Sequence, residues 1–342
     1  LLNGWAHRHP AFVEQWYSRG LFCWIRAGMD ATFGQLPFAS FYLFWALVVL
    51  YWGHLLLKRP ILSGFTAKMK YWAGRLLGFS GLILTLFFWL WGFHYARTPL
   101  IQTLEIRPQA LDSATLWQAL YQETTVLDSL RTQMVGRDTN ALNNRRFWPK
   151  NAEDTIRTAL QTWLTETGFP ANGRVRARFI YPKGTLFAFG ASGIYWPFIG
   201  EGNLEAGMHP LRQLPAMAHE MSHGFGFSDE GGCNFIAYVA CAEHPNAYIA
   251  YCARLDYWTT LAGACRAMNP PAYDTQFKPQ IPRGIVADQH AIFRQHSQYT
   301  EIAPAIRYQV YDSYLKAQGI SSGMLNYDEV LMLVDAWKRR KR

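Results

Sequence analysis

The chain has 342 residues, half of them apolar and only 17% charged, with a formal net charge of +9. Mean hydropathy is nonetheless close to zero, which fits a soluble domain averaged with membrane-spanning segments. The basic excess gathers between Lys58 and Arg75 and in the tail Lys338 to Arg342; no basic run is interleaved with aromatics as on a nucleic-acid face, and the five cysteines lack the CxxC spacing of a cysteine-based zinc site.

Residues 1–36 form an N-terminal segment, and Leu1 and Leu2 read as the end of a further hydrophobic segment upstream. Pro37 to Leu57 and Leu76 to His94 contain no Lys, Arg, Asp or Glu, and their Trp and Tyr residues cluster towards the ends. Roughly 20 residues of helix cross a hydrocarbon core of about 30 Å, so residues 37–95 are expected to hold two transmembrane helices, with a pair of buried core helices as the competing reading. Lys58, Arg59, Lys68, Lys70 and Arg75 lie between them without an acidic residue. An excess of Lys and Arg marks cytoplasmic loops, which places residues 96–342 outside the cytoplasm in a multi-pass protein. Disulfides are permitted there; Cys233, Cys241, Cys252 and Cys265 allow three pairings or four buried thiols.

Along residues 96–342, a helix is expected around Ala114 to Met134 and another from Asn151 to Gly168, with Ile156, Leu160, Trp163 and Leu164 on one face. Arg174 to Tyr181 alternates as a half-buried strand, with Val175, Ala177, Phe179 and Tyr181 inward and Arg174, Arg176 and Arg178 towards solvent. Ile194 to Ile199 is strand-like, but Pro197 confines it to an edge or a strand end. From Leu214 the pattern is mainly helical. Helices, short strands, then helices predict an α+β fold.

Residues 219–223 read HEMSH. On a helix, His219 and His223 project from one face one turn apart, so both imidazoles can reach one Zn²⁺ while Glu220 flanks its open position. Pro215 suits the first turn of that helix, and Gly224 and Gly226 end it. Two carboxylates are candidates for a third ligand. Glu230 opens a second helix with Asn234 one turn on, and this Glu-xxx-Asn spacing resembles the Glu-xxx-Asp pattern of gluzincins, in which the glutamate binds metal and the later residue holds a ligand histidine by a hydrogen bond. Asp229 instead completes HExxHxxGxxD, with Gly226 permitting the turn.

The stretches SGIYWPFIGEGN at Ser192 to Asn203 and LPAMAHEMSHGFGFSDEGGCNFIAYVAC at Leu214 to Cys241 resemble the bacterial membrane family known as domain of unknown function 3810. WGFHYARTPL at Trp91 to Leu100 and YDSYLKAQG at Tyr311 to Gly319 support the likeness. The family looks like a minimal gluzincin. The resemblance implies a zincin-like domain in a bacterial cytoplasmic membrane, His219, His223 and Glu230 as zinc ligands, and Glu220 as base. One departure stands out: the family commonly has Glu-Ala-Asn-Phe after the first glutamate, whereas Gly232 and Cys233 precede Asn234 and Phe235 here.

The expected activity is peptide-bond hydrolysis with Glu220 as general base, on a peptide or protein substrate; the alternative is a membrane-tethered binding or scaffold protein without turnover. Tyr195 reads as a packed aromatic or as a partner for substrate backbone, and Glu201 as lining the cleft or occupying a turn. His244, His290 and Tyr251 are candidate oxyanion donors or structural residues, and Cys233 reads as helix packing.

Overall fold

The computed structural model describes residues 2–143, 145–318 and 329–340, so Leu1, Gly319 and the last two residues of the basic tail lie outside the described residues. Near the N-terminus a π-helical stretch, Val13–Leu21, runs directly into α1 (Phe22–Ala31). Ala6, Val13, Tyr17 and Phe22 form its buried side, packed against Trp91, Ala96 and Tyr195. Arg97 pairs with Glu14 at 2.9 Å, and Arg26 donates to the Gly200 carbonyl at 2.6 Å. Residues 2–36 are thereby fastened to the later part of the chain.

Two apolar helices follow, α2 (Phe41–Leu57) and α3 (Phe65–Leu90). By length and composition α3 can cross a membrane, whereas α2 is shorter at 17 residues. Tyr51 stacks on Phe79 at 5.5 Å and Trp52 meets the same ring at 5.4 Å, so the two helices pack side by side. Lys68, Lys70 and Arg75, expected in a loop, belong to the first half of α3. Gly64, at φ +87°, ends a connection that is shorter than the sequence suggested.

Asp112 accepts a hydrogen bond from the Thr115 amide and opens α4 (Ser113–Val135); α5 (Ala152–Glu166) follows. The sheet has three strands, β1 (Arg176–Ile180), β2 (Gly193–Trp196) and β3 (Glu201–Glu205), in the order β1-β3-β2. β3 runs parallel to β1 and antiparallel to β2, with Ala177 and Tyr195 both opposite Gly202. Six longer helices follow among the described residues: α6 (Pro210–Gly224), α7 (Glu230–Cys241), α8 (Ala247–Met268), α9 (Arg283–His296), α10 (Pro304–Ala317) and α11 (Val330–Arg340). The main core joins α4 to α8 with one face of the sheet through Leu127, Leu160, Leu204, Met221, Phe235 and Tyr251. The protein is mostly helical with a small sheet, an α+β arrangement.

Several local expectations need correction. The central strand β3, EGNLE, lacks an apolar alternation, yet all five of its residues are buried. The basic face expected over Arg174 to Tyr181 is solvated only in part: Arg174 is exposed, but Arg178 is buried against Glu201, and Tyr181, expected inward, is exposed. Helix α6 starts at Pro210 and carries Pro215 inside it, so the first turn lies five residues earlier than expected. The cysteines follow one of the two readings left open: Cys233, Cys241, Cys252 and Cys265 are buried free thiols, and Cys23 is also free.

Candidate functional site

Helix α6 begins with Pro210 in its first turn, where the missing N–H costs nothing, and with the His209 ring accepting from the Leu211 amide at 3.3 Å. It ends at Gly224. Gly226 then adopts φ +90°, and a Cβ there would lie 2.6 Å from the His94 ring, so only glycine suits this turn. Asp229 caps α7, its carboxylate accepting from the Gly232 amide at 2.5 Å. A Cβ on residue 232 would lie 2.8 Å from that carboxylate oxygen, which accounts for glycine at a position where the resemblance leads one to expect a larger residue. The cap engages Asp229 and puts Glu230, the first helical residue, beside the histidines.

His219 Nδ1 lies 2.7 Å from Asn234 Oδ1, and His223 Nδ1 lies 2.8 Å from the Phe227 carbonyl oxygen. Both oxygens can only accept, so each Nδ1 carries a ring proton and each ring turns its Nε2 towards the other and Glu230. The two Nε2 atoms are 3.2 Å apart, and Glu230 Oε2 is 3.0 Å from one and 3.4 Å from the other. Three potential ligand atoms therefore face one another. A tetrahedral ion with bonds of about 2.0–2.1 Å sets its ligands about 3.3 Å apart, close to the separations here. His219, His223 and Glu230 could thus hold a divalent cation. With the ion absent, burial opposes charge on His223, but Cys233 and Glu230 outweigh it and hold its pKa well above the usual imidazole value. Burial likewise opposes the Glu230 carboxylate, and the two histidines reverse it, leaving its pKa well below normal.

Glu220 lies on the side of α6 that faces the sheet. A Cβ at residue 193 would come 2.4 Å from its Oε1, and one at residue 202 would come 2.7 Å from its Cβ. Glycine on both strands makes room for this carboxylate. Burial is the largest influence on it and pushes its pKa up to about 7, with His219 and His223 pulling the other way. Its Oε2 is buried and makes no hydrogen bond among the described residues. A carboxylate near neutrality beside a candidate metal position has the character of a general base.

Two contributors escaped the sequence reading. Trp91 Nε1 donates to the His223 carbonyl at 2.9 Å, and the Tyr311 hydroxyl donates to Glu230 Oε1 at 2.9 Å. Tyr195 forms a wall of the site, its ring 5.5 Å from Trp91 and 6.4 Å from His223. Glu201 does not line the cleft: it projects from the opposite sheet face to Gly202, where it meets Arg178 at 2.6 Å and accepts from the Ser40 amide at 3.0 Å. The oxyanion candidates are engaged elsewhere. Tyr251 donates to Asp288 at 2.5 Å, the His244 ring accepts from the Asn246 amide at 3.0 Å, and His290 lines a separate cavity with Asn143 and Phe293. Cys233 is buried with its sulfur 3.4 Å from His223 Nδ1, on the side of that ring away from Glu230.

No curated protein and no solved structure matches the chain. The match that exists is to a family described as protein of unknown function (DUF3810), and it extends over residues 17–334, from the N-terminal helices into α11. With nearly its whole length inside that match, the chain belongs to the DUF3810 family.

Proposed function

We propose that this protein is a membrane-anchored zinc metallopeptidase with a zincin-like catalytic domain. His219, His223 and Glu230 hold the ion, and Glu220 is the base. The supporting observation is the convergence of one potential ligand atom from each of His219, His223 and Glu230, all within 4.8 Å of one another. Zinc bound there would supply Lewis-acid chemistry, polarising a scissile carbonyl and making water easier to deprotonate. Glu220 accepts the water proton and delivers it to the leaving amine. Asn234 and the Phe227 carbonyl fix the ring tautomers, and Tyr311 steadies Glu230.

In this reading α2 and α3 form a hairpin in a bacterial cytoplasmic membrane. The basic residues Lys58 to Arg75 lie at its cytoplasmic tip, and the metal site lies on the other side. The test is to purify the full chain in detergent, measure bound zinc, and assay a quenched peptide library. The expected result is one zinc per chain and hydrolysis that Glu220→Gln lowers at least about 100-fold while zinc stays bound. A folded, zinc-free protein, or full activity in Glu220→Gln, would overturn the proposal. The deep burial of Glu220, only 5% exposed, favours a second reading, a tethered binding protein, and zinc without cleavage would identify it.

A further inference from the structure

One surface away from the metal cluster has no role in the fold. Trp5, Phe12, Trp16 and Trp24 in the N-terminal helical region are 46%, 50%, 66% and 79% exposed. The rings of Trp5 and Phe12 lie 5.2 Å apart and those of Phe12 and Trp16 6.3 Å, so these three make one continuous patch. The same region already buries a separate apolar side through Ala6, Val13, Tyr17 and Phe22. Folding therefore does not require the outer row, and large aromatics left in water mark a surface that something else covers.

The position of the row identifies what covers it. The Tyr17 hydroxyl donates to the carbonyls of Phe88 and Trp89, at 3.3 and 3.0 Å, in the last turn of α3. The helical region is thus fastened where the apolar helix ends, at the depth of lipid headgroups if α3 spans the bilayer. Trp prefers this layer because its ring is apolar and its N–H is polar. Arg8, exposed in the same region, supplies a cation that suits an anionic surface.

We infer that the N-terminal helical region lies along the bilayer surface, with Trp5, Phe12, Trp16 and Trp24 seated among the headgroups of the membrane that α3 enters. The inference rests on reading α2 and α3 as membrane-inserted. Trp91, the first residue after α3, bonds the backbone of His223, so the metal cluster is held next to the same surface.

The test uses the full chain reconstituted in phosphatidylethanolamine–phosphatidylglycerol vesicles that contain a phospholipid with a photoactivatable group near its glycerol. After illumination, peptide mass spectrometry locates the adducts. Adducts are expected on Trp5 to Trp24 as well as on the ends of α2 and α3. Labelled α2 and α3 with an unlabelled Trp5–Trp24 region would overturn the inference, as would inter-chain cross-links showing a second copy over that region. Absence of label from α2 and α3 would instead remove the membrane reading beneath it.

Discussion

At His219 the two ring nitrogens have separate tasks: Nδ1 is committed to Asn234, and Nε2 is thereby left bare towards His223 and Glu230. Replacing Asn234 with Ala removes the acceptor that selects this tautomer. Zinc affinity is expected to fall about 10- to 100-fold, the usual effect of losing a hydrogen bond behind a metal ligand. Chelator competition on the folded variant measures it, and unchanged affinity would show that Asn234 does not orient the ring. This much was legible because the residues lie within sixteen positions of one another, where helical periodicity sets their spacing; the Asp229 cap that places Glu230 emerged only from the structure. Trp91 and Tyr311 were not legible. They act on His223 and Glu230 from 132 and 81 residues away, and no local pattern reports such a contact.

Among the elements, the sheet departs most from its sequence pattern. Glu201, Asn203 and Glu205 occupy one face of β3, and all are buried. Glu205 satisfies that burial by accepting from the amides of Gly184, Leu186 and Gly207 at 2.6–2.7 Å. A polar strand looks like a turn in sequence because alternation signals one wet face, and here the expected wet face is covered by residues near Gly34 to Ser40. The helices were more readable, since the apolar stripe of α5 is a local pattern, although the Asp112 and Asp229 caps of α4 and α7 were not read from it.

Buried carboxylates of this kind have a pH signature. Burial raises Glu201 to about 7, although Arg178 opposes the rise. Because the folded-state pKa exceeds the unfolded one, this group's contribution is complete below about pH 4.5 and declines as pH rises towards 7. Glu201→Gln imitates the protonated acid at every pH. Unfolding of wild type and variant in detergent at pH 4.5 and 7.5 should therefore diverge, the wild type losing up to about 3 kcal/mol relative to the variant. A constant difference between the two would show that Glu201 titrates as an ordinary surface carboxyl.

For the whole molecule, the bracing of the α6–α7 turn comes from the segment that leaves α3. Trp91 bonds the His223 carbonyl, Arg97 donates to the Gly226 carbonyl at 2.6 Å, and the buried His94 ring fills the space above Gly226. Ser18 holds that same ring at 3.0 Å from the N-terminal side. The apolar helix, the N-terminal helical region and the His219–His223–Glu230 cluster thus meet at one junction, and under the proposed function a site there would meet chains tethered to the bilayer ahead of chains in solution. Tethering confines a substrate to a thin layer, and its effective concentration can reach the millimolar range. In vesicles, a peptide from the cleavable set carrying an N-terminal acyl chain should be cut at least about tenfold faster than the same peptide without it, both at micromolar bulk concentration. Dilution into detergent micelles should reduce that ratio, because the shared surface is lost. Equal rates for the anchored and free peptides in vesicles would mean that the site opens away from the membrane, even though its frame is built on the end of α3.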